Sequence, residues 1–213
     1  QAMTVVVSII LVYTSLNICG NLVLYFFRFD VGNEGAYSIF AAVAFAAQVL
    51  VMMVIPLLRK RFSKSQLFIS GFIIQIAGFA VILIMAFAKL YTPQSWYILC
   101  LPGILIYLGY GMLNVIMTIF LSDSVDYGEV MNGTREESVI FSMQTFTVKL
   151  ASGAAVFLAG LVVDWIHLDT AAAVQTQDTL DALRMWMTIP SVILLIVGIF
   201  VFKRFYKLDD TRM

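Results

Sequence analysis

Apolar residues run along this chain in six blocks, each long enough to cross a lipid bilayer. The blocks are approximately Met3–Phe27, Ala36–Leu58, Leu67–Ala88, Tyr97–Leu121, Ser138–Val163 and Leu183–Phe202. A helix needs about 20 apolar residues to span the hydrocarbon layer. Lipid offers no partner to an open backbone N–H or C=O, so each block predicts a membrane-spanning helix. The alternating pattern of a lipid-facing β-barrel strand is absent. Short polar segments link the blocks: Arg28–Gly35, Arg59–Gln66, Lys89–Trp96 with Pro93 as a turn residue, Ser122–Glu137 and Asp164–Ala182, with a tail from Lys203 to Met213. The first block resembles a signal peptide in position only. No basic segment precedes it, and its length of about 25 residues exceeds the roughly 7–15 of a signal core. It is expected to be the span of a chain cut or extended upstream.

Composition agrees with a lipid-embedded chain. Hydrophobic residues make up 62% and charged residues 12%, where a soluble domain carries about 45–50% and about 25%. So few charges could not cover a surface facing water. The formal net charge is zero, so no nucleic-acid partner is expected. The positions of Lys and Arg set an orientation. Arg59, Lys60, Arg61 and Lys64 share one side with Arg135 and with Lys203, Arg204, Lys207 and Arg212; the other side holds Arg28, Lys89 and Arg184. The richer side is expected to be cytoplasmic, with both ends of the chain there. Trp96, Tyr97 and Trp165 fall near the expected outer boundaries, where aromatic rings favour the interface. Cys19 and Cys100 lie in apolar runs without metal-ligand spacing, and His167 stands alone in a loop. No nucleophile–base grouping can be read. Neither an enzyme nor a bound metal or cofactor is expected.

The polar residues inside the spans carry the chemistry. Lys149 lies eleven positions beyond Ser138 (149 − 138), roughly 16 Å deep at 1.5 Å per residue and so near mid-bilayer. A Lys there costs roughly 2.5–3.5 kcal/mol on insertion scales, which points to a functional role. Thr145, Lys149 and Ser152 share one helical face, with Gln144 beside it. Tyr13, Asn17 and Asn21 form a stripe on the first span, and Tyr107, Tyr110, Asn114 and Thr118 form another on the fourth. Three polar stripes around a mid-depth Lys predict a wet cavity between helices. Each Asn or Thr alone could equally join helix to helix. The pairs Tyr13/Asn17 and Tyr110/Asn114 occupy matching helices if the chain is two three-helix repeats. No span interior contains Asp or Glu, so a charged Lys149 needs a partner from elsewhere.

The stretch Ser122–Lys149 reads SDSVDYGEVMNGTREESVIFSMQTFTVK. Asp123, Asp126 and Glu129 recur every third residue, without calcium-loop spacing. An acidic solvated face or salt bridges to a partner fit better than a metal. The D-x-V-D-Y-G-E pattern, then Arg135, Glu137-Ser138, Ser142-x-Gln144-Thr145 and Lys149, closely resembles the melibiose permease-like family of glycoside–pentoside–hexuronide:cation symporters. Asn17, Asn21, Tyr25-Phe26-Phe27 and Arg204-Phe205-Tyr206 extend the resemblance over most of the chain.

The resemblance implies an all-α membrane protein: the C-terminal six-transmembrane-helix half of a twelve-helix major facilitator fold, in a bacterial inner membrane. It implies symport of a sugar or glycoside with sodium or protons by alternating access. By the resemblance Lys149 would line the substrate cavity, with Gln144 and Thr145 close to the sugar; the polar stripes add Asn17, Asn21, Tyr110 and Asn114 to the expected cavity lining. Asp123, Asp126, Glu129 and Arg135 would form the cytoplasmic gate. In this family the cation-binding carboxylates and the main sugar-binding acid belong to the N-terminal half. The expected partners are therefore sugar, coupling cation, lipid and that other half. A complete six-helix scaffold or channel that pairs with itself is the alternative. A Schiff-base protein using Lys149 would want a nearby carboxylate, and the spans supply none.

Overall fold

A computed structural model describes residues 2–133, 137–172 and 174–205. It contains six long helices: α1 (Ala2–Tyr25), α2 (Ala36–Leu58), α3 (Lys64–Phe87), α4 (Cys100–Asn132), α5 (Glu137–Trp165) and α6 (Gln177–Phe205). All six are long and apolar enough to cross a membrane. A π-helical segment, Phe26–Val31, continues α1, and a 3-10 turn, Trp96–Leu99, leads into α4. No strand occurs among the described residues.

The helices sit where the apolar blocks placed them, but several run further. α4 has 33 residues, about 50 Å of helix against about 30 Å of hydrocarbon. The acidic segment Ser122–Asn132, expected in a connection, is therefore the last third of a continuous helix. Gly133, in the left-handed conformation at φ 72°, ends it. α3 starts at Lys64 because Ser63 and Gln66 form a reciprocal capping box. α6 begins at Gln177, ahead of the apolar block, and takes Arg184 into its second turn.

Packing order differs from chain order. α4 packs between α2 and α3, α1 packs between α5 and α6, and α3·α6 and α1·α4 contacts join the two groups. The α2–α3 turn and the protruding part of α4 meet at one end of the bundle, the near end, where Lys64 reaches Asp123. The connections after α1, α3 and α5 meet at the far end, where Asn33 bonds the Pro93 carbonyl and Arg28 the Thr170 carbonyl.

Hydrophobic driving force between helices is absent in lipid, so close backbone approach matters more. α3 and α4 achieve it through glycine. A Cβ on Gly109 would lie 2.6 Å from both the Gln75 nitrogen and the Gly71 carbonyl oxygen. On the other side of α4, a Cβ on Gly111 would lie 2.6 Å from Val51 and 3.0 Å from the Gln48 carbonyl. Gln75 is fully buried at the α3–α4 contact, and its amide has no hydrogen-bond partner among the described residues. α1 and α6 are joined differently: Ser15 Oγ donates to the Ser191 carbonyl at 3.1 Å and Ser191 Oγ to the Ser15 carbonyl at 2.8 Å.

Two outcomes follow from the α3–α4 contact. Gly109→Ala should destabilise by about 1–3 kcal/mol, the usual cost of overpacking, read as a lower melting temperature of the detergent-solubilised protein. Gly153→Ala is the control: its Cβ meets nothing within 4 Å, and melting should not fall. Gln75→Met keeps the length and removes the unpaired amide. It should leave melting unchanged or raise it by up to about 2 kcal/mol equivalent; a fall would show that the amide is satisfied and needed.

Candidate functional site

The polar stripes of α1 and α4 meet face to face. Asn114 Nδ2 donates to Tyr13 Oη at 2.7 Å, and the rings of Tyr13 and Tyr110 pack edge-on with centroids 5.5 Å apart. Tyr107 extends the aromatic cluster, 6.5 Å from Tyr110. Tyr110 is buried, while Tyr13, Asn17, Asn21 and Asn114 are half-buried. Asn17 and Asn21 turn their amides back onto their own helix, donating to the Tyr13 and Asn17 carbonyls at 2.7 Å each. Thr118 likewise bonds the Asn114 carbonyl. Each of these local bonds engages one donor, and the Asn17 and Asn21 side chains stay half-exposed. In the residues as arranged, Asn114 and Tyr13 do join helix to helix, whereas Asn17 and Asn21 do not.

α5 presents its polar residues elsewhere. It attaches to α1 through one narrow stripe, Thr147, Ala151, Ala155, Ala159 and Val162, all buried. Lys149 is two residues from Thr147 and two from Ala151, hence about 200° round the helix from each. Lys149 and Thr145 are exposed on this outer face, with Ser152 half-exposed beside them. Gln144 lies nearer the packed stripe and is half-buried. The structure therefore brings Tyr13, Tyr110 and Asn114 together and sets Lys149 and Thr145 on an open face. The three stripes do not close around a single enclosed cavity within the described residues. An open groove of about 500 Å³ does run between α1 and the far part of α5, lined by Asn21, Tyr25, Gly160 and Asp164 among others.

At the near end, Lys64 Nζ meets Asp123 at 2.7 Å, with both side chains about 15% exposed. The pair fixes the start of α3 to the emerging part of α4. Asp126 and Glu129 lie one and two turns further out and are exposed. Arg135 lies outside the described residues.

Sequence reading missed a buried ionic cluster at the far end. Arg184 grips Asp30 with two parallel bonds, Nε to Oδ2 at 2.8 Å and Nη2 to Oδ1 at 2.5 Å, and both side chains are 3% exposed. Its Nη1 reaches Asp181 at 2.7 Å, and Tyr91 donates to Asp30 Oδ2 at 2.6 Å. The Arg184 guanidinium also lies over the Phe87 ring, 5.8 Å from its centroid. Burial, reinforced by the hydrogen bond to Asp30 and its charge, pushes the Tyr91 hydroxyl well above the usual phenol range, so it remains a donor. Removing either member of such a buried pair costs about 3–5 kcal/mol. In the sequence Asp30 falls in a connection and Arg184 reads as one of the few basic residues on the poorer side. Their pairing, across 154 positions, leaves no local signal.

Comparison with known proteins gives this geometry its context. The chain matches the family described as MFS/sugar transport protein over residues 1–210. It is 26% identical, over 99% of its length, to an uncharacterised symporter of Bacillus subtilis, and covers 44% of that protein. It is 26% identical over 87% of its length to the isoprimeverose transporter of Lactiplantibacillus pentosus, covering 37% of it. The raffinose carrier protein of Pediococcus pentosaceus is 24% identical over 87% of the chain, which covers 28% of that carrier. The chain thus spans less than half the length of these curated relatives. Six long apolar helices without a strand among the described residues are the six-helix half of a major facilitator fold. A match of this extent places the chain in the MFS/sugar transport protein family.

Proposed function

We propose that this chain is the C-terminal half of a secondary transporter that moves a sugar or glycoside together with sodium or protons by alternating access. The observation that carries the reading is the placement of Lys149. It stands near the middle of α5, on the face turned away from α1, with Thr145 and Ser152 beside it. Lipid against that face would leave a charge in hydrocarbon at a cost of about 2.5–3.5 kcal/mol. A second six-helix unit would cover it and supply a polar, water-accessible wall. Its relatives include isoprimeverose and raffinose carriers and a symporter, which supports sugar as the cargo class.

In this reading α1 and α4 form the rigid wall of the cavity. Tyr13, Tyr110 and Asn114 hold one another in place. The half-exposed amides of Asn17 and Asn21 offer carbonyl oxygens to sugar hydroxyls, and Gln144 and Thr145 offer further polar contacts. Lys149 donates to the sugar, or tunes an acid of the other half that binds the coupling cation. The near end is proposed to face the cytoplasm. There Asp123, Asp126, Glu129 and Arg135 act as the gate region, with Lys64 holding Asp123 within this half. Alternating access needs two states of similar energy, and exchange of ion pairs at this end is one way to move between them.

Lys149→Ala in the full transporter should abolish cation-driven accumulation of radiolabelled sugar in membrane vesicles, a loss of at least tenfold, with the protein still present in the membrane and melting unchanged within about 0.5 kcal/mol as for an exposed site. Uphill uptake retained by that variant would overturn the role of Lys149. Comparing sodium and proton gradients in the same vesicles identifies the coupling ion.

A further inference from the structure

The far end of α1 leaves the α-helical register at Phe26 and runs as a π-helix to Val31. A π turn is rare and is retained where something holds it. Here the holder is visible. Asp30 sits within the π segment and points into the buried cluster of Arg184, Tyr91 and Asp181. Continuing α1 as an α-helix would remove the extra residue per turn. Everything beyond the π segment's start would then rotate by up to about 100°, and Asp30 could not meet both guanidinium nitrogens.

The same register places Phe29. Its ring stacks on Tyr25 with centroids 6.5 Å apart and planes 7° from parallel, and the Arg28 guanidinium lies 5.0 Å from its centroid. Tyr25 is a lining residue of the groove between α1 and α5, together with Asn21, Gly160 and Asp164. The stacked pair therefore stands at the far mouth of that groove. Arg28 also donates to the Thr170 carbonyl and lies 3.7 Å from Glu34, so the segment is tied to the α5–α6 connection as well.

We propose that the Asp30–Arg184–Tyr91 cluster is a latch that holds the far end of α1 in the π register, and that this register sets the angle at which Phe29 lies against Tyr25 at the mouth of the groove. Releasing the latch lets the segment return to α-helix, turns Phe29 around the helix relative to Tyr25 and changes access to the groove. The latch is a property of this bundle alone and does not depend on which solute is carried.

The test uses the full transporter in nanodiscs, with Asp30→Asn to weaken the ionic grip and Tyr91→Phe to remove one hydrogen bond. Amide hydrogen exchange is followed across residues 26–33. In the same backgrounds Gly160→Cys, whose Cβ meets no atom within 4 Å, is labelled with a maleimide. Asp30→Asn should speed exchange at 26–33 at least tenfold, with α3 and α4 unchanged, and alter the labelling rate at position 160 at least threefold. Tyr91→Phe should shift both in the same direction by less, and it decides alone if Asp30→Asn does not accumulate. Unchanged exchange at 26–33 would overturn the latch. Faster exchange with unchanged labelling would overturn the link to the groove. Neither readout requires transport, so failure here is separable from failure of the proposed sugar symport.

Discussion

α4 can occupy the middle of this bundle only because its own surface is cut back on two sides. Gly109 lets the α3 backbone approach, and Gly111 does the same for α2. The two glycines are two residues apart, hence about 200° apart around the helix, so α2 and α3 are held on opposite flanks. Tyr110 lies between them in sequence and about 100° from each. The face left over is that of Tyr110 and Asn114, and it meets Tyr13 on α1. In lipid, where apolar side chains gain little by meeting one another rather than acyl chains, this steric constraint decides which residues of α4 can face the polar side of the bundle. A larger residue at either glycine would push out a flanking helix and turn the aromatic cluster.

The two ends of the bundle are tied with different strengths. The far-end pair is 3% exposed on both sides, with a bidentate geometry and a tyrosine filling a further site on the carboxylate. Taking one partner away would strand a charge in a dry site. The near-end pair, Lys64 and Asp123, retains about 15% exposure on each side chain. Water can take over part of its solvation, so its partners can exchange at lower cost. Of these two pairs the far-end one is the more deeply buried and the near-end one the more open to water.

The six helices were legible because each apolar block exceeds the bilayer thickness and lipid forbids any other spanning form for it. Lys149 stands out in the sequence because a charge at that depth is costly, and the structure sets it on the open face of α5. Three features were not legible. Hydropathy marks where a helix leaves lipid, not where it ends, so α4 was expected to stop near Leu121 although it continues to Asn132. Packing order was hidden because the glycines that set it act across helices, and nothing local says which neighbour Gly109 will meet. The Asp30–Arg184 pair was hidden for a third reason: near a predicted boundary, a charge reads equally well as solvated or buried. Only the π register, itself without a sequence signature, brings Asp30 round to Arg184.

The outward position of Lys149 is a consequence of packing rather than of any attraction at that residue. Ala151, Ala155 and Ala159 recur every four residues and lie buried where α5 meets α1. Small residues at that spacing allow the helix axes to approach, and the approach fixes the rotation of α5. Turning the helix to bury Lys149 would replace this alanine stripe by Leu150 and Phe157 or by the Lys itself. It would open the α1–α5 contact and leave the ammonium against α1 without a carboxylate, since the spans hold none at that depth. The alanine stripe thus holds the charged face outward against the energetic preference of a lone α5 in lipid. Such a face is stable in a membrane only when water or further protein lies against it, which is the physical ground on which the proposed cavity side rests.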